Sequence, residues 1–326
     1  MSELYPLLFS PIFKEKIWGG NKLKSFFDKD CGNLPNCGES WEISGVEGNI
    51  SIVKEGPFKG KSLAQLIEEH QERLVGNKVY KRFGTEFPLL IKFLDASEDL
   101  SIQVHPDDNL ARQKHGSLGK TEMWYILQAD EGARLNTGFS KQVDRKTFME
   151  HVNNNTLEEI LNYEEVKEGD VFFLPAGRIH YIGKGICLAE IQQTSDVTYR
   201  VYDFGRKDSN GNTRELHVED AVDALDFKVY DQYKSHYEAE LDRPVNIVEC
   251  PYFTTNLLEA AHEQDRDYSK LDSFVIYIIL DGKVELATSN GTFDFQKGDT
   301  VLLPAECDRA KLVPKDKVKM LEVYIS

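Results

Sequence analysis

A nine-residue segment occurs twice in this chain, each time with the pattern of a tight turn followed by a short strand. Residues 168–176 (EGDVFFLPA) match residues 297–305 (KGDTVLLPA), with Gly-Asp, an apolar run and Pro-Ala in both copies. An apolar, strand-like run precedes each copy, at residues 124–127 and at residues 275–280. Two copies of a strand–turn–strand unit favour two β-sandwiches of the jelly-roll type.

The rest of the chain also favours a mainly β architecture. Short β-branched and aromatic runs bounded by Gly, Pro, Asn and Asp recur throughout, without the alternating helices of a doubly wound fold. Helical patterns are confined to residues 62–75, residues 106–114 with Pro in the first turn, residues 144–163 as two short helices broken near residues 153–155, and residues 218–225. The predicted fold class is therefore all-β (mainly), with two jelly-roll sandwiches and a few short helices.

The two copies differ in a way that predicts different functions for the two sandwiches. After Pro-Ala the first copy continues with GRIH, ending at His180, whereas the second continues with ECDR, ending at Arg309. Only the first copy offers a histidine that could bind a metal. We therefore predict a catalytic domain at residues 1–235, with a short helical insert near residues 144–163, and a C-terminal sandwich without metal ligands at residues 236–326.

The net charge restricts the possible partners. A formal charge of −16 argues against non-specific binding to nucleic acid or to an anionic membrane surface. An anionic substrate would instead need a local basic pocket.

The N-terminus lacks a basic leader, the longest apolar run (residues 274–280) is strand-sized, and the odd number of cysteines, 5, does not suggest a disulfide framework. We expect a cytoplasmic protein, as a monomer or weak homodimer.

The first candidate ligands lie in residues 100–105 (LSIQVH), which alternate strictly between apolar and polar side chains. A strand with this pattern places its apolar residues on one face and Ser101, Gln103 and His105 on the other. Such a row of polar side chains is either a ligand platform or a solvated outer face. The segment alone leaves both alternatives open.

Two further segments extend this candidate set. Lys120 and Glu122 share one face at the start of an apolar strand, where a solvated strand end is the alternative. The spacing Gly-x5-Pro-x-Gly-x2-His over residues 169–180 matches the second metal-binding motif of cupin jelly rolls, although its histidine could also be purely structural. The combined ligands suit Zn²⁺, and also Mn²⁺ or Fe²⁺: Gln103, His105, Glu122 and His180. A divalent ion with one carboxylate ligand keeps positive charge and can stabilise an enediolate.

With these motifs in place, the chain resembles the type I mannose-6-phosphate isomerases, in their short bacterial form. The matching segments cover most of residues 5–205, and beyond about residue 240 only the jelly-roll pattern remains. They are KIWGG (16–20), GESWEISG (38–45), FPLLIK (87–92), SIQVHPDD (101–108), GKTE (119–122), PAGRIH (175–180), EIQQTSD (190–196) and YRVYD (199–203).

This resemblance implies a specific reaction and specific residue roles. The reaction would interconvert mannose 6-phosphate and fructose 6-phosphate through an enediol, with one zinc ion per chain on the four ligands above. Arg200, Glu190 and Lys120 would be the catalytic residues, with Arg200 close to the reacting carbons and Glu190 in proton transfer. The substrate and its phosphate would be held by Lys92, Ser101, Lys120 and Arg200.

Several alternatives stay open at this stage. Glu190 could be a structural carboxylate that orients a ligand or Arg200, and a metal-bound water could replace it as the base. A cupin-type Fe-dependent dioxygenase would use a similar ligand set. A non-catalytic phosphosugar-binding paralogue would bind the same substrate without turnover.

Overall fold

A computed structural model describes residues 3–207 and 210–326. In these ranges no helix is long and apolar enough to cross a membrane. The strands are β1 (Leu7–Ser10), β2 (Ile12–Gly20), β3 (Cys37–Ile43), β4 (Ile52–Val53), β5 (Leu89–Ala96), β6 (Ile102–Val104), β7 (Glu122–Ala129), β8 (Arg134–Phe139), β9 (Leu161–Glu165), β10 (Val171–Leu174), β11 (His180–Tyr181), β12 (Ile186–Gln193), β13 (Tyr199–Tyr202), β14 (Lys234–Ser235), β15 (Arg243–Glu249), β16 (Thr254–Ala260), β17 (Gln264–Asp267), β18 (Val275–Asp281), β19 (Lys283–Thr288), β20 (Gly291–Gln296), β21 (Thr300–Leu303), β22 (Arg309–Pro314) and β23 (Val318–Tyr324). The helices are α1 (Lys22–Phe27), α2 (Leu63–His70), α3 (Glu72–Val75), α4 (Asn77–Phe83), α5 (Asp108–His115), α6 (Arg145–Asn153) and α7 (Val218–Ala224), with a 3-10 turn at Leu157–Ile160.

These strands form two sandwiches, as the repeat predicts. The first pairs a seven-stranded sheet (β14-β10-β7-β12-β5-β2-β3) with a five-stranded sheet (β13-β6-β11-β8-β9). The second pairs a seven-stranded sheet (β15-β16-β23-β18-β21-β1-β4) with a four-stranded sheet (β17-β22-β19-β20). The mainly β fold class with two jelly-roll sandwiches is confirmed.

The two seven-stranded sheets share one apolar core. Side chains from β5, β7 and β12, such as Ile91, Tyr125 and Ala189, pack in the same cluster as Ile276 and Val323 from the second sandwich. The residues that alternate with them along β5, β7 and β12 point into the first sandwich. Because both faces of these central strands are buried, most of their residues are apolar.

The repeated segment has the same hydrogen bonds in both sandwiches. The amide of Gly169 donates to the carbonyl of Ile126, and the amide of Gly298 donates to the carbonyl of Ile279. Both glycines have positive φ, 86° and 90°, the backbone region that only glycine adopts without cost. The following strands, β10 and β21, pair antiparallel with β7 and β18. The predicted repeat is therefore a structural repeat.

The N-terminal segment crosses between the sandwiches. β1 pairs with β21 and with β4, so both strands extend the large sheet of the second sandwich. β2 and β3 instead belong to the first sandwich. The division at residue 235 remains a prediction about independent folding units, and this exchange shows that the first 53 residues contribute to both.

The helical predictions need four corrections. The predicted helix at residues 62–75 is broken at Gln71, whose φ is 49°, into α2 and α3. Pro106 precedes the first turn of α5, because Asp107 caps that helix through the amide of Leu110. Residues 144–163 contain α6 and a 3-10 turn, but a strand begins at Leu161. The predictions omitted α1 and α4.

Candidate active site

Strand alternation places the predicted ligand row inside the first sandwich. Ile102 and Val104 pack outward against helices α6 and α7, and Gln103 faces inward opposite His180 on β11. Ser101 and His105 on the same side are buried, with exposures of 3% and 1%. The alternative of a solvated outer face is therefore wrong.

Leu100 departs from the predicted pattern. We expected it on the apolar face with Ile102 and Val104, but it packs in the inner cluster that includes Trp124 and Leu188. The reason is that β6 begins only at Ile102, so Leu100 is not held to the alternation of the strand.

Three of the four predicted ligands converge on one point. Nε2 of His105 lies 3.6 Å from Oε2 of Glu122, and Nε2 of His180 lies 3.3 Å from Oε1 of Glu122. The ligand atoms of these residues all lie within 4.8 Å of one another. The side-chain amide of Gln103 is 3.4 Å from Nε2 of His180, so a rotation of this amide would turn its oxygen toward the same point.

The hydrogen bonds of the two histidines fix the ring nitrogens that face this point. Nδ1 of His105 lies 2.9 Å from the carbonyl of Val197, and Nδ1 of His180 lies 2.9 Å from the carbonyl of Arg178. A carbonyl only accepts, so Nδ1 carries the proton and Nε2 keeps its lone pair. This arrangement is typical of histidine ligands oriented by the backbone.

The cluster has buried polar atoms that a metal would satisfy. Within residues 3–207 and 210–326, Nε2 of His105 and both carboxylate oxygens of Glu122 are buried without a hydrogen-bond partner. Burial raises the pKa of Glu122 to about 7 and lowers the pKa of His180 to about 4. Because unpaired buried polar groups are costly, these residues fit a divalent cation, and their N and O atoms suit Zn²⁺, Mn²⁺ or Fe²⁺.

Glu190 lies on the wall beside this cluster with both carboxylate oxygens engaged. Its Oε2 accepts from Lys92 at 2.8 Å, and its Oε1 accepts from the indole of Trp124 at 3.0 Å. Lys92 also donates to Gln192 at 2.7 Å. Burial opposes ionisation of Glu190, but Lys92 and then Lys120 outweigh it and lower the pKa of Glu190 to about 2.

Lys120, Ser101 and Arg200 complete the predicted set on the same pocket. Nζ of Lys120 is 3.5 Å from Oε2 of Glu122. Nε of Arg200 donates to Oγ of Ser101 at 3.3 Å, and its Nη1 donates to the carbonyl of Glu215 at 2.9 Å. All nine predicted site residues therefore line the pocket or contact its ligand cluster.

Sequence reasoning missed one wall of this pocket. The pocket, of about 140 Å³, is also lined by Lys16, Trp18, Glu39 and Trp41 from β2 and β3, and by Arg214. The motifs at residues 16–20 and 38–45 indicated this wall, although the resemblance assigned no role to their residues.

These motifs contain glycine because a larger side chain would collide with the neighbouring strand. A Cβ on Gly19 would lie 2.5 Å from the amide nitrogen of Gly38, and a Cβ on Gly38 would lie 2.8 Å from side-chain atoms of both Lys16 and Trp18. Glycine therefore lets β2 approach β3 closely. Across this contact, Nζ of Lys16 lies 3.2 Å from Oε1 of Glu39.

The fold and the site define a jelly-roll enzyme of the cupin class with a candidate metal site formed by two histidines and a glutamate. Residues 7–133 match the family model for the catalytic domain of type I phosphomannose isomerase, and residues 245–323 match that for the mannose-6-phosphate isomerase cupin domain. A mannose-6-phosphate isomerase of Bacillus subtilis is 35% identical over 94% of this chain and 95% of its own length. One from Streptococcus mutans is 36% identical over 92% of each chain.

A solved structure agrees with these relatives. The crystal structure of the mannose 6-phosphate isomerase from Bacillus subtilis matches with a TM-score of 0.87 and 36% identity, over 98% of this chain and 99% of that one. The chain therefore belongs to the type I phosphomannose isomerase family, and it is an isomerase.

Proposed function

We propose that this isomerase interconverts mannose 6-phosphate and fructose 6-phosphate through an enediol intermediate, with one Zn²⁺ per chain held by four ligands. The ligands are Gln103, His105, Glu122 and His180. The observation that carries the proposal is the combination of a ligand cluster with unsatisfied inward-facing atoms and a pocket lined by cationic side chains. Such a pocket provides the local basic site that an anionic substrate requires in a protein of formal charge −16.

The reaction requires a proton to move between C1 and C2 while an oxygen develops negative charge. A divalent ion at the ligand cluster would polarise the substrate oxygens and stabilise the enediolate. Arg200 offers a guanidinium on the same pocket, fixed by Ser101 and by the carbonyl of Glu215, and can donate to that developing charge. We assign Lys120, which is buried next to Glu122, to donate to the substrate oxygens.

For Glu190 the contacts favour a structural role, although its partners are Lys92 and Trp124 and not a metal ligand or Arg200. A carboxylate with a pKa of about 2 and both oxygens hydrogen-bonded is a weak base at neutral pH. Its role in this proposal is to hold the ammonium group of Lys92 in the pocket, where Lys92 can donate to substrate hydroxyls.

The test is metal removal followed by reconstitution. The purified protein is stripped with a chelator, and fructose 6-phosphate formation from mannose 6-phosphate is measured with and without Zn²⁺, Mn²⁺ and Fe²⁺. Restoration of turnover best by Zn²⁺ supports the proposal. Turnover restored by none of the metals, in a folded protein, supports the phosphosugar-binding paralogue, and iron-dependent oxygen uptake would indicate the dioxygenase.

The predicted cellular context stays a prediction. A cytoplasmic location, a monomer or weak homodimer, and the absence of nucleic-acid and membrane partners rest on charge and sequence pattern alone. Fractionation of cells and sedimentation of the purified protein test them.

A further inference from the structure

Two of the lysines that line the pocket are matched by a nearby carboxylate. Lys16 lies 3.2 Å from Glu39, and Lys92 lies 2.8 Å from Glu190. Lys120 lies 3.5 Å from Glu122, a proposed metal ligand, and it keeps its charge when Glu122 binds the metal. The ion pairs of Lys16 and Lys92 reduce the net charge that these two ammonium groups offer to a dianion. The arginines of the pocket are therefore further candidates for binding a phosphate.

The arginines of β13 and of the segment after it are not matched in this way. Among residues 3–207 and 210–326, no carboxylate lies within ion-pair distance of Arg200, whose partners are a hydroxyl and a carbonyl. Arg206 and Arg214 share a single carboxylate, Asp203.

Arg214 is oriented by Asp203 without using all of its donors. Its Nε donates to Oδ2 of Asp203 at 2.7 Å, and its Nη2 donates to Oδ1 of the same carboxylate. A guanidinium has five N–H groups, so this fork leaves the Nη1 donors for a ligand. Arg214 lines the same pocket as Arg200 and is about a third exposed.

Arg206 has a different role in this group. It donates to Oδ1 of Asp203 and to the carbonyl of Asp99, and it does not line the pocket. Its charge therefore compensates Asp203, which is 5% exposed, and leaves the charge of Arg214 available. Burial, followed by repulsion from Arg214, lowers the pKa of Arg200, which agrees with an excess of positive charge here.

We propose that Arg214 binds the phosphate of the substrate, and that Asp203 is a positioning residue that holds Arg214 in the pocket. The proposal rests on the proposed function for the identity of the sugar phosphate. It does not require turnover, because any small phosphate dianion can occupy the same donors. Lys92 and Lys120 are then left to the sugar end of the substrate, next to the ligand cluster.

The test measures phosphate binding and catalysis separately. The dissociation constant of inorganic phosphate is measured by calorimetry for the wild type and for Arg214→Gln, Arg214→Lys and Asp203→Asn, together with KM and kcat for fructose 6-phosphate. The matched control is Arg243→Gln, because Arg243 is exposed on the second sandwich and paired only with Glu240. Thermal unfolding of each variant identifies any loss of folding.

The expected result is a shared loss of binding. Arg214→Gln should raise the dissociation constant of phosphate and the KM by similar factors of about ten or more, the usual effect of losing a charged hydrogen-bond donor. Arg214→Lys should recover part of this loss, Asp203→Asn should weaken binding in a folded protein, and Arg243→Gln should match the wild type.

Two outcomes would overturn the proposal. One is a dissociation constant for phosphate that is the same in Arg214→Gln as in Arg243→Gln. The other is a wild type that does not bind phosphate at all. If the wild type binds phosphate through Arg214 but does not convert mannose 6-phosphate, the phosphate site stands and the proposed function fails.

Discussion

Lys92 and Glu190 lie directly opposite each other on β5 and β12, and their side chains form a buried ion pair of 2.8 Å inside the first sandwich. Both side chains are buried, with exposures of 7% and 4%, and the strongest charge interaction of each is with the other. Removing one partner of such a pair leaves an uncompensated buried charge, which is more costly than removing both. This relationship makes the pair testable independently of the reaction.

We predict that Glu190→Gln and Lys92→Gln each lower the free energy of unfolding by about 3–5 kcal/mol, because each leaves one buried charge alone. The double variant should lose less than the sum of the two single losses. Urea unfolding of the wild type, both single variants and the double variant measures this coupling. Additive losses would show that the ion pair contributes nothing specific to stability.

We predict that zinc stabilises the wild type and not His180→Asn. A ligand that binds only the folded state adds about 2.7 kcal/mol when its free concentration is about 100 times its dissociation constant. The midpoint of thermal unfolding of the chelated protein should therefore rise when zinc is added. In His180→Asn this rise should disappear, and elemental analysis should find less than one zinc per chain.

The control for the zinc prediction is His262→Asn, which removes an exposed histidine of the second sandwich. It should keep the full response to zinc. An unchanged response in His180→Asn would place the metal elsewhere.

We predict that Arg200→Ala loses turnover but keeps its metal. Arg200 donates hydrogen bonds to Ser101 and to a backbone carbonyl, and no hydrogen bond or ion pair joins it to His105, Glu122 or His180. Loss of a donor to developing negative charge typically lowers kcat by about a hundred- to a thousandfold. Steady-state kinetics and elemental analysis of the same preparation measure both quantities. If the metal is lost along with turnover, Arg200 has a structural role.

We predict that His70 makes the protein less stable in mild acid. His70 is buried at the end of α2, and neither ring nitrogen has a hydrogen-bond partner in the part of the chain that the structure describes. Burial lowers the pKa of His70 below 6.5. The unfolded chain then binds a proton near pH 6.5 that the folded protein does not bind, so stability falls as the pH decreases. Between pH 7.5 and 5.5 this contribution is at most about 1.4 kcal/mol.

The measurement compares urea unfolding of the wild type and of His70→Leu at both pH values. The difference between the two proteins isolates His70 from the other histidines. We expect His70→Leu to lose less stability on acidification than the wild type. An equal loss in both proteins would show that His70 titrates alike in the folded and unfolded states.

The sequence by itself determined the local features of this protein. Alternation in residues 100–105 correctly placed Gln103 and His105 on one face, because side chains on a strand alternate whatever it packs against. The Gly-Asp turns were equally readable, because a positive φ at Gly169 and Gly298 is a local requirement of the backbone. Helix ends were harder to predict, because no glycine or proline marks the break at Gln71.

Only the tertiary structure decided which distant segments share the site. The wall formed by Lys16, Glu39 and Trp41, and the rim arginine Arg214, come from opposite ends of the first sandwich's sequence. The pairing of β1 with a strand of the second sandwich likewise could not be predicted from the sequence. These contacts join residues far apart in sequence, and they are selected by the burial of whole sheet faces, a property that no short segment contains.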